Sequence, residues 1–319
     1  MKFKSVFSAL IDRFIEYRKA SGSWNELCYG KNIRYFDHFC AVNFPEDKVL
    51  TQSMIDAWCA KRSTEKNSTN LRRTQVVKLF VDYLRHRELT NVLPPPRLKP
   101  ESYKYTPHFF EEDELIRFFQ ACDHIYEHSR PEIAIIKLII PVFFRLLYST
   151  GMRAIEARML KVNNVNLAHG VIDIQKSKGH DQRYVAMHDT MTSLMVKYDE
   201  AIAEYQPSRE FFFQNLRGGH YSSNWVQKNF HALWKQANGT IFKVPIANDL
   251  RHHYAISNIN SWIDDGFAVT DKLLYLSKSM GHQSLQTTTY YYSLVPRLAD
   301  TLRDKTEAGF NIIVPEATW

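Results

Sequence analysis

Residues 91–107, NVLPPPRLKPESYKYTP, set the strongest constraint on how this chain can fold. Three consecutive prolines and a fourth at Pro100 fix φ and remove amide donors, so no helix or interior strand continues through the stretch. Such a composition forms an extended, semi-rigid strap. The flanking segments must then fold as separate units, and 319 residues are enough for two domains of ordinary size. The expected division is a unit over 1–90, a basic linker over 91–107 carrying Arg97 and Lys99, and a larger unit over 108–319.

Before the strap the apolar spacing is helical. Val6, Phe7, Leu10, Ile11, Phe14 and Ile15 recur at helical intervals over 5–19, and similar patterns cover about 25–41, 53–62 and 68–87. Ser53 with Asp56 predicts a capping box for the third helix. A four-helix unit follows. Its charge is uneven with the rest: residues 1–107 hold 19 Lys+Arg against 11 Asp+Glu, whereas the remainder holds 22 against 23. All of the chain's basic excess therefore lies in the first third, which points to a polyanion such as nucleic acid. Lys61, Arg62, Lys66, Arg72 and Arg73, with Ser, Thr and Asn interleaved, are candidate phosphate contacts. A solvated helix face is the competing reading.

After the strap, FFEEDELIRFFQAC opens a helix with acids in its first turn, as the helix dipole favours. A long apolar helix pair runs to about 149, and further helices are expected at about 189–205, 222–237, 249–263 and 271–280. VIDIQK (171–176) and RYVAM (183–187) are the one clear strand pair. The fold class is mainly α, with a small antiparallel sheet in the second unit.

Several chemistries drop out. There is no Gly-rich phosphate loop followed by Lys-Ser/Thr, so no nucleotide cofactor is indicated, and no HExxH or Cys/His set that suggests zinc. Acid-triad metal nucleases stay open on spacing alone. Cys28, Cys40, Cys59 and Cys122 lack CxxC spacing and are read as reduced thiols. The apolar run at 133–147 is interrupted by Lys137, Pro141 and Arg145 and is read as too short for a membrane span. No signal-peptide pattern opens the chain, so a cytoplasmic location is expected.

Four short blocks carry the chemistry. STGMRAIEARML (149–160) sets Arg153 after a Thr-Gly turn, with Glu156 one helical turn on and able to hold its guanidinium. KSKGHDQRYVAM (176–187) puts Lys178 at a hairpin tip. ANDLRHHYAISN (247–258) sets Arg251 in the first turn of an apolar helix that Asn248 or Asp249 can cap. GHQSLQTTTYYYS (281–293) follows a helix-stopping glycine with His282, three threonines and three tyrosines. Each block alone is compatible with ordinary surface structure.

In this order TGMRAIE, SKGHDQR, NDLRHHYA and MGH–TTTYY together resemble the tyrosine recombinase (phage integrase) family, over about 140–295. The resemblance implies an N-terminal SAM-like core-binding domain and a mostly helical catalytic domain. It implies double-stranded DNA with paired inverted-repeat sites as partner, and a homotetramer on synapsed DNA. No metal, cofactor or membrane is implied. Carried onto matching positions, Arg153, Arg251 and His282 would hold the phosphate and Lys178 would protonate the leaving 5′-oxygen. Tyr291, nine residues after His282, would attack and leave a 3′-phosphotyrosyl link. That assignment suits a phosphodiester, whose developing charge needs fixed donors, and guanidiniums supply them bidentately. Integration or excision of a mobile element is the expected role. The rivals are a DNA-binding protein that has lost catalysis on the same scaffold and a type IB topoisomerase-like relaxing enzyme.

One position departs from the pattern: Asn248 stands where the family usually has His or Lys. Asn donates to a phosphate oxygen but does not take a phenol proton. An active variant is favoured over a slow one, and His252 and His253, about 100° or more away around the helix, are not expected to substitute. Tyr290 and Tyr292 are expected to project away from Tyr291, the threonines to form the approach to its helix with hydroxyls near DNA, and the tail, about 296–319, to dock on a neighbouring protomer.

Overall fold

A computed structural model describes residues 3–101, 105–125, 131–175, 182–239, 244–262 and 269–291. The chain separates into two units, Met1–Tyr105 and Thr106–Trp319.

The first unit holds α1 (Ser8–Ala20), a single π-helical turn (Glu26–Gly30), α2 (Lys31–Asn43), α3 (Gln52–Cys59) and α4 (Asn67–Arg85). Phe7, the N-cap of α1, turns inward with Ile11 and Phe14 at helical spacing, while Val6 stays in solvent. From α4, Val76, Val77, Phe80, Val81 and Leu84 form the face on which the others close. Phe80 meets Phe14 at 5.4 Å and Phe36 at 6.4 Å between ring centroids. The expected capping box on α3 is absent. Thr51 is the N-cap, Ser53 lies inside the helix, and the two hydroxyls bond each other at 2.9 Å. The strap is neither helix nor strand over 91–101. Gln52 secures its start, accepting from the Leu93 amide at 2.9 Å and donating to the Leu93 carbonyl at 3.4 Å.

The second unit begins with α5 (Glu112–Asp123), α6 (Pro131–Thr150) and the short α7 (Ala154–Arg158). Strands β1 (Val165–Asn166), β2 (Val171–Ile174) and β3 (Arg183–Ala186) follow, then α8 (Asp189–Ala203) and α9 (Ser223–Asn238). Last come α10 (Asp249–Trp262), α11 (Val269–Met280) and α12 (Leu285–Thr289). The strands form one antiparallel sheet in the order β1-β2-β3, with Ile172 opposite Val185 and Ile174 opposite Arg183. Ile172, Ile174 and Val185 point into the core, so alternation sets the register. The two-residue β1 was not expected, being too short to show a period.

Helix α6 is longer than its apolar run suggests. Ile133–Thr150 is long and apolar enough to cross a membrane by length and composition, which corrects the expectation that it is too short. Half of that stretch is buried, and α6 packs on α5, α8 and α10 as a core helix. Phe143 and Phe144 from α6, Phe118 from α5 and Phe230 and Trp234 from α9 make the centre of this core. Arg145, beyond Pro141, reaches out to Asp123 with two bonds of 2.7 Å.

Candidate active site

The site is assembled on the end of α11. Gly281 stops that helix at φ +66°, its amide donating to the Lys278 carbonyl at 2.9 Å, and the His282 amide donates to the Ser277 carbonyl at 2.9 Å. A helix end leaves carbonyls without intrahelical donors and carries partial negative charge. Here three guanidiniums take them. Arg183 donates to Ser279 O at 2.7 Å, Arg251 to Met280 O at 2.7 Å, and Arg153 to Gly281 O at 2.8 Å. Arginines from three separate blocks thus meet over three consecutive carbonyls.

Glu156 links two of them. Its carboxylate accepts from Arg153 Nη1 at 3.0 Å and the Arg153 amide at 2.8 Å, and from Arg183 at 2.9 and 2.7 Å. Burial alone would raise the carboxyl's pKa, but Arg183 and Arg153 more than offset this and hold it below the usual range. Arg183 is a residue the sequence reading did not single out. Its signal was present: it closes the hairpin block in the SKGHDQR match.

Arg251 is 5% exposed and also donates to Gly151 O at 2.5 Å. Gly151 ends α6 at φ +61°, and a Cβ there would lie 2.3 Å from the Tyr254 ring. Burial, then Arg153, lowers the Arg251 pKa to about 10, which leaves it charged at neutral pH. His282 Nε2 accepts from Arg251 Nη2 at 2.9 Å, since a guanidinium only donates. The ring proton is therefore on Nδ1, which donates to Thr288 Oγ1 at 2.6 Å. Burial, then the three arginines, pushes the His282 pKa down to about 3, so the imidazole is neutral.

Tyr291 is 3% exposed and belongs to a buried cluster with Ala255, Ile256, Leu276 and Met280. The His282 ring stacks on it, 6.1 Å away at 17°. Burial raises the phenol's pKa, with Arg251 and Arg153 pulling it back. Two expectations need correction here. The threonines are not an approach to a helix: Thr287, Thr288 and Thr289 lie in α12, and Thr288 is fully buried against His282. His252 does not point away either. Its Nδ1 lies 2.9 Å from Tyr291 Oη, and its Nε2 lies 2.9 Å from Asn248 Nδ2. The relevant spacing is from Asn248, where i,i+4 puts the two side chains about 40° apart on one face. Tyr290 is 38% exposed, with its ring 5.9 Å from that of Tyr291.

The structure therefore brings together Arg153, Glu156, Asn248, Arg251, His282 and Tyr291 and adds Arg183, His252 and Thr288. Lys178, Tyr292 and the tail at 296–319 lie outside the described residues. In the first unit, Lys61, Arg62, Lys66 and Arg72 are exposed, as are Arg97 and Lys99 on the strap. Arg73 is not: it is 4% exposed over the Trp58 ring and donates to Glu65, Ala60 O and Asn70. This corrects its expected part as a phosphate contact. Its guanidinium is spent on packing the unit.

The phage integrase family model matches residues 108–296. A tyrosine recombinase XerC of Oceanobacillus iheyensis is 23% identical over 299 residues, covering 88% of this chain and 90% of that protein. A putative integrase/recombinase, y4rE, of Sinorhizobium fredii is 28% identical over 229 residues, 70% of this chain and 73% of the relative. Among solved structures, a XerH site-specific recombinase bound to difH substrate aligns with a TM-score of 0.61 at 19% identity. The alignment covers 93% of this chain and 83% of that one. A lambda integrase tetramer bound to a Holliday junction aligns at 0.58 and 16% identity, covering 89% and 76%. The fold is that of the DNA site-specific recombinases. The chain belongs to the phage integrase family and is a tyrosine-type site-specific DNA recombinase.

Proposed function

We propose that this enzyme integrates or excises a mobile element, cutting and rejoining double-stranded DNA in the cytoplasm through a 3′-phosphotyrosyl bond to Tyr291. The observation that carries the reading is the convergence of Arg153, Arg251 and His282 beside one buried phenol. In the reaction, the guanidiniums donate to the phosphate's non-bridging oxygens, so the developing charge is met by cations already gathered at one place. Lys178 gives its proton to the leaving 5′-oxygen. The phosphotyrosyl bond conserves the energy of the broken one, so rejoining draws on neither metal nor nucleotide.

The DNA sites are paired inverted repeats and the working assembly is four copies on synapsed DNA, like the lambda integrase tetramer bound to a Holliday junction. The tail at 296–319 docks between copies. Lys61, Arg62, Lys66, Arg72, Arg97 and Lys99 provide exposed charge for phosphates. A nicked suicide substrate carrying two matched sites tests this. A denaturation-resistant adduct is expected with the intact protein and none with Tyr291→Phe, with DNA binding retained in both. Binding without an adduct would favour the catalytically lost scaffold. An adduct and relaxation on a single site would favour the topoisomerase-like enzyme.

A further inference from the structure

Asn248 leaves the mechanism without an acceptor for the phenol proton. An unperturbed tyrosine ionises near pH 10, and burial raises Tyr291 above its ordinary value. Two imidazoles lie against the ring. His282 stacks on its face, with Nε2 directed to Arg251 and Nδ1 to Thr288. His252 instead addresses the reacting atom, Nδ1 to Oη, and has Asn248 on its other nitrogen.

We propose that His252 is the catalytic residue that takes the Tyr291 proton, and that Asn248 is the positioning residue that sets its tautomer. The proposal rests on Tyr291 being the nucleophile. A neutral imidazole carries one N–H, and which nitrogen holds it follows from the partner of the other. An Asn side chain can present either its oxygen or its NH₂, since the two ends are close to the same shape. In the structure Asn248 Nδ2 faces His252 Nε2; with the amide turned over, so that Oδ1 accepts from Nε2–H, the Nδ1 lone pair faces the phenol. The same oxygen keeps its bond when the ring becomes imidazolium, so accepting the proton requires no rearrangement.

The step balances. The Oη–H proton moves to His252 Nδ1, the Oη–P bond forms, the P–O5′ bond breaks, and the leaving oxygen takes a proton from Lys178. Rejoining reverses each transfer. Among the described residues, Asp249 and Arg251 on α10 act on this ring electrostatically, and Tyr291 and His282 lie beside it. Burial and Arg251 lower the His252 pKa while Asp249 raises it, and the net displacement is downward, which keeps the base unprotonated at neutral pH.

Single-turnover cleavage of the suicide substrate by the full chain decides the matter. His252→Gln is expected to slow adduct formation by about 100-fold or more, with DNA binding and thermal midpoint little changed. Its rate should climb steadily with pH, whereas the wild-type rate levels off once the imidazole is neutral. Added imidazole should restore part of the rate to His252→Ala. Replacing the bridging 5′-oxygen by sulfur gives a leaving group that needs no proton. That substrate should rescue Lys178→Ala and leave His252→Gln slow. Asn248→Asp, which can only accept from Nε2–H, should retain more cleavage than Asn248→Ala. Wild-type rates and an unchanged pH profile in His252→Gln would overturn the proposal, as would its full rescue by sulfur. An adduct that persists in Tyr291→Phe would instead overturn the nucleophile assignment itself, a separate outcome.

Discussion

Gly281 shows how much a single position without a side chain can determine. It needs a left-handed φ to stop α11, and a Cβ there would lie 2.6 Å from Arg183 Nη1. Gly281→Ala is therefore expected to cost about 1–2 kcal/mol from the backbone alone, read by urea denaturation. It should also depress adduct formation, because the displaced guanidinium is bonded to Glu156. Arg72 and Arg73 make a paired test in the first unit. Arg72→Ala should weaken DNA binding at unchanged stability, since the residue is exposed. Arg73→Ala should cost about 3 kcal/mol by stranding its buried partners, measured on the full chain by denaturation. Sequence made the identity of these residues plain but not their direction. Arg153, Arg251, His282 and Tyr291 could be picked out only because four short blocks, each compatible alone with ordinary surface structure, occur together in one order. His252 was not legible because its step of about 100° from Arg251 hides the roughly 40° that separates it from Asn248, the residue whose face it shares.

At the scale of elements, long periodic helices were legible and short pieces were not. Most helices with a buried stripe lie close to their expected limits, since several turns of apolar spacing outvote any one residue, but α2 begins at Lys31 rather than about 25 because a π turn takes Glu26–Gly30. The two-residue β1, the π turn and the five-residue α12 have too few residues to show a period. Caps were also misread: Ser53 and Asp56 have the right types, but Thr51 is the N-cap. No sequence period announces that the C-terminus of α11 gathers Arg153, Arg183 and Arg251, because the partners come from elements far apart in the chain. Glu156 ties α7 to β3 at this point. Glu156→Gln should destabilise the protein by about 3 kcal/mol, the cost typical of breaking a buried ion pair, and slow cleavage. In the wild type the depressed carboxyl contributes stability above its unfolded pKa, near 4.3. That contribution is lost as pH falls through the lower folded value.

For the molecule as a whole, two histidines set a second acid limit. Burial is the main cause in both: His253 is held down to about 4 and His282 to about 3, against an ordinary value of 6.5. Between pH 6.5 and 4 the unfolded chain binds these protons and the folded chain does not, so stability should rise with pH there and level off above it. His253, wedged among Phe109, Phe110 and Tyr148, should alone give a slope of about 1.4 kcal/mol per pH unit. His253→Phe should flatten the denaturation-midpoint profile by that share. The burial of Tyr291 has a consequence for anyone who labels this protein. To a phenol-directed reagent such as a nitrating agent, Tyr290 at 38% exposure is open and Tyr291 at 3% is closed. Between these two neighbours in DNA-free protein, the tyrosine that takes up the label is the bystander, and silence at position 291 is the mark of an intact site.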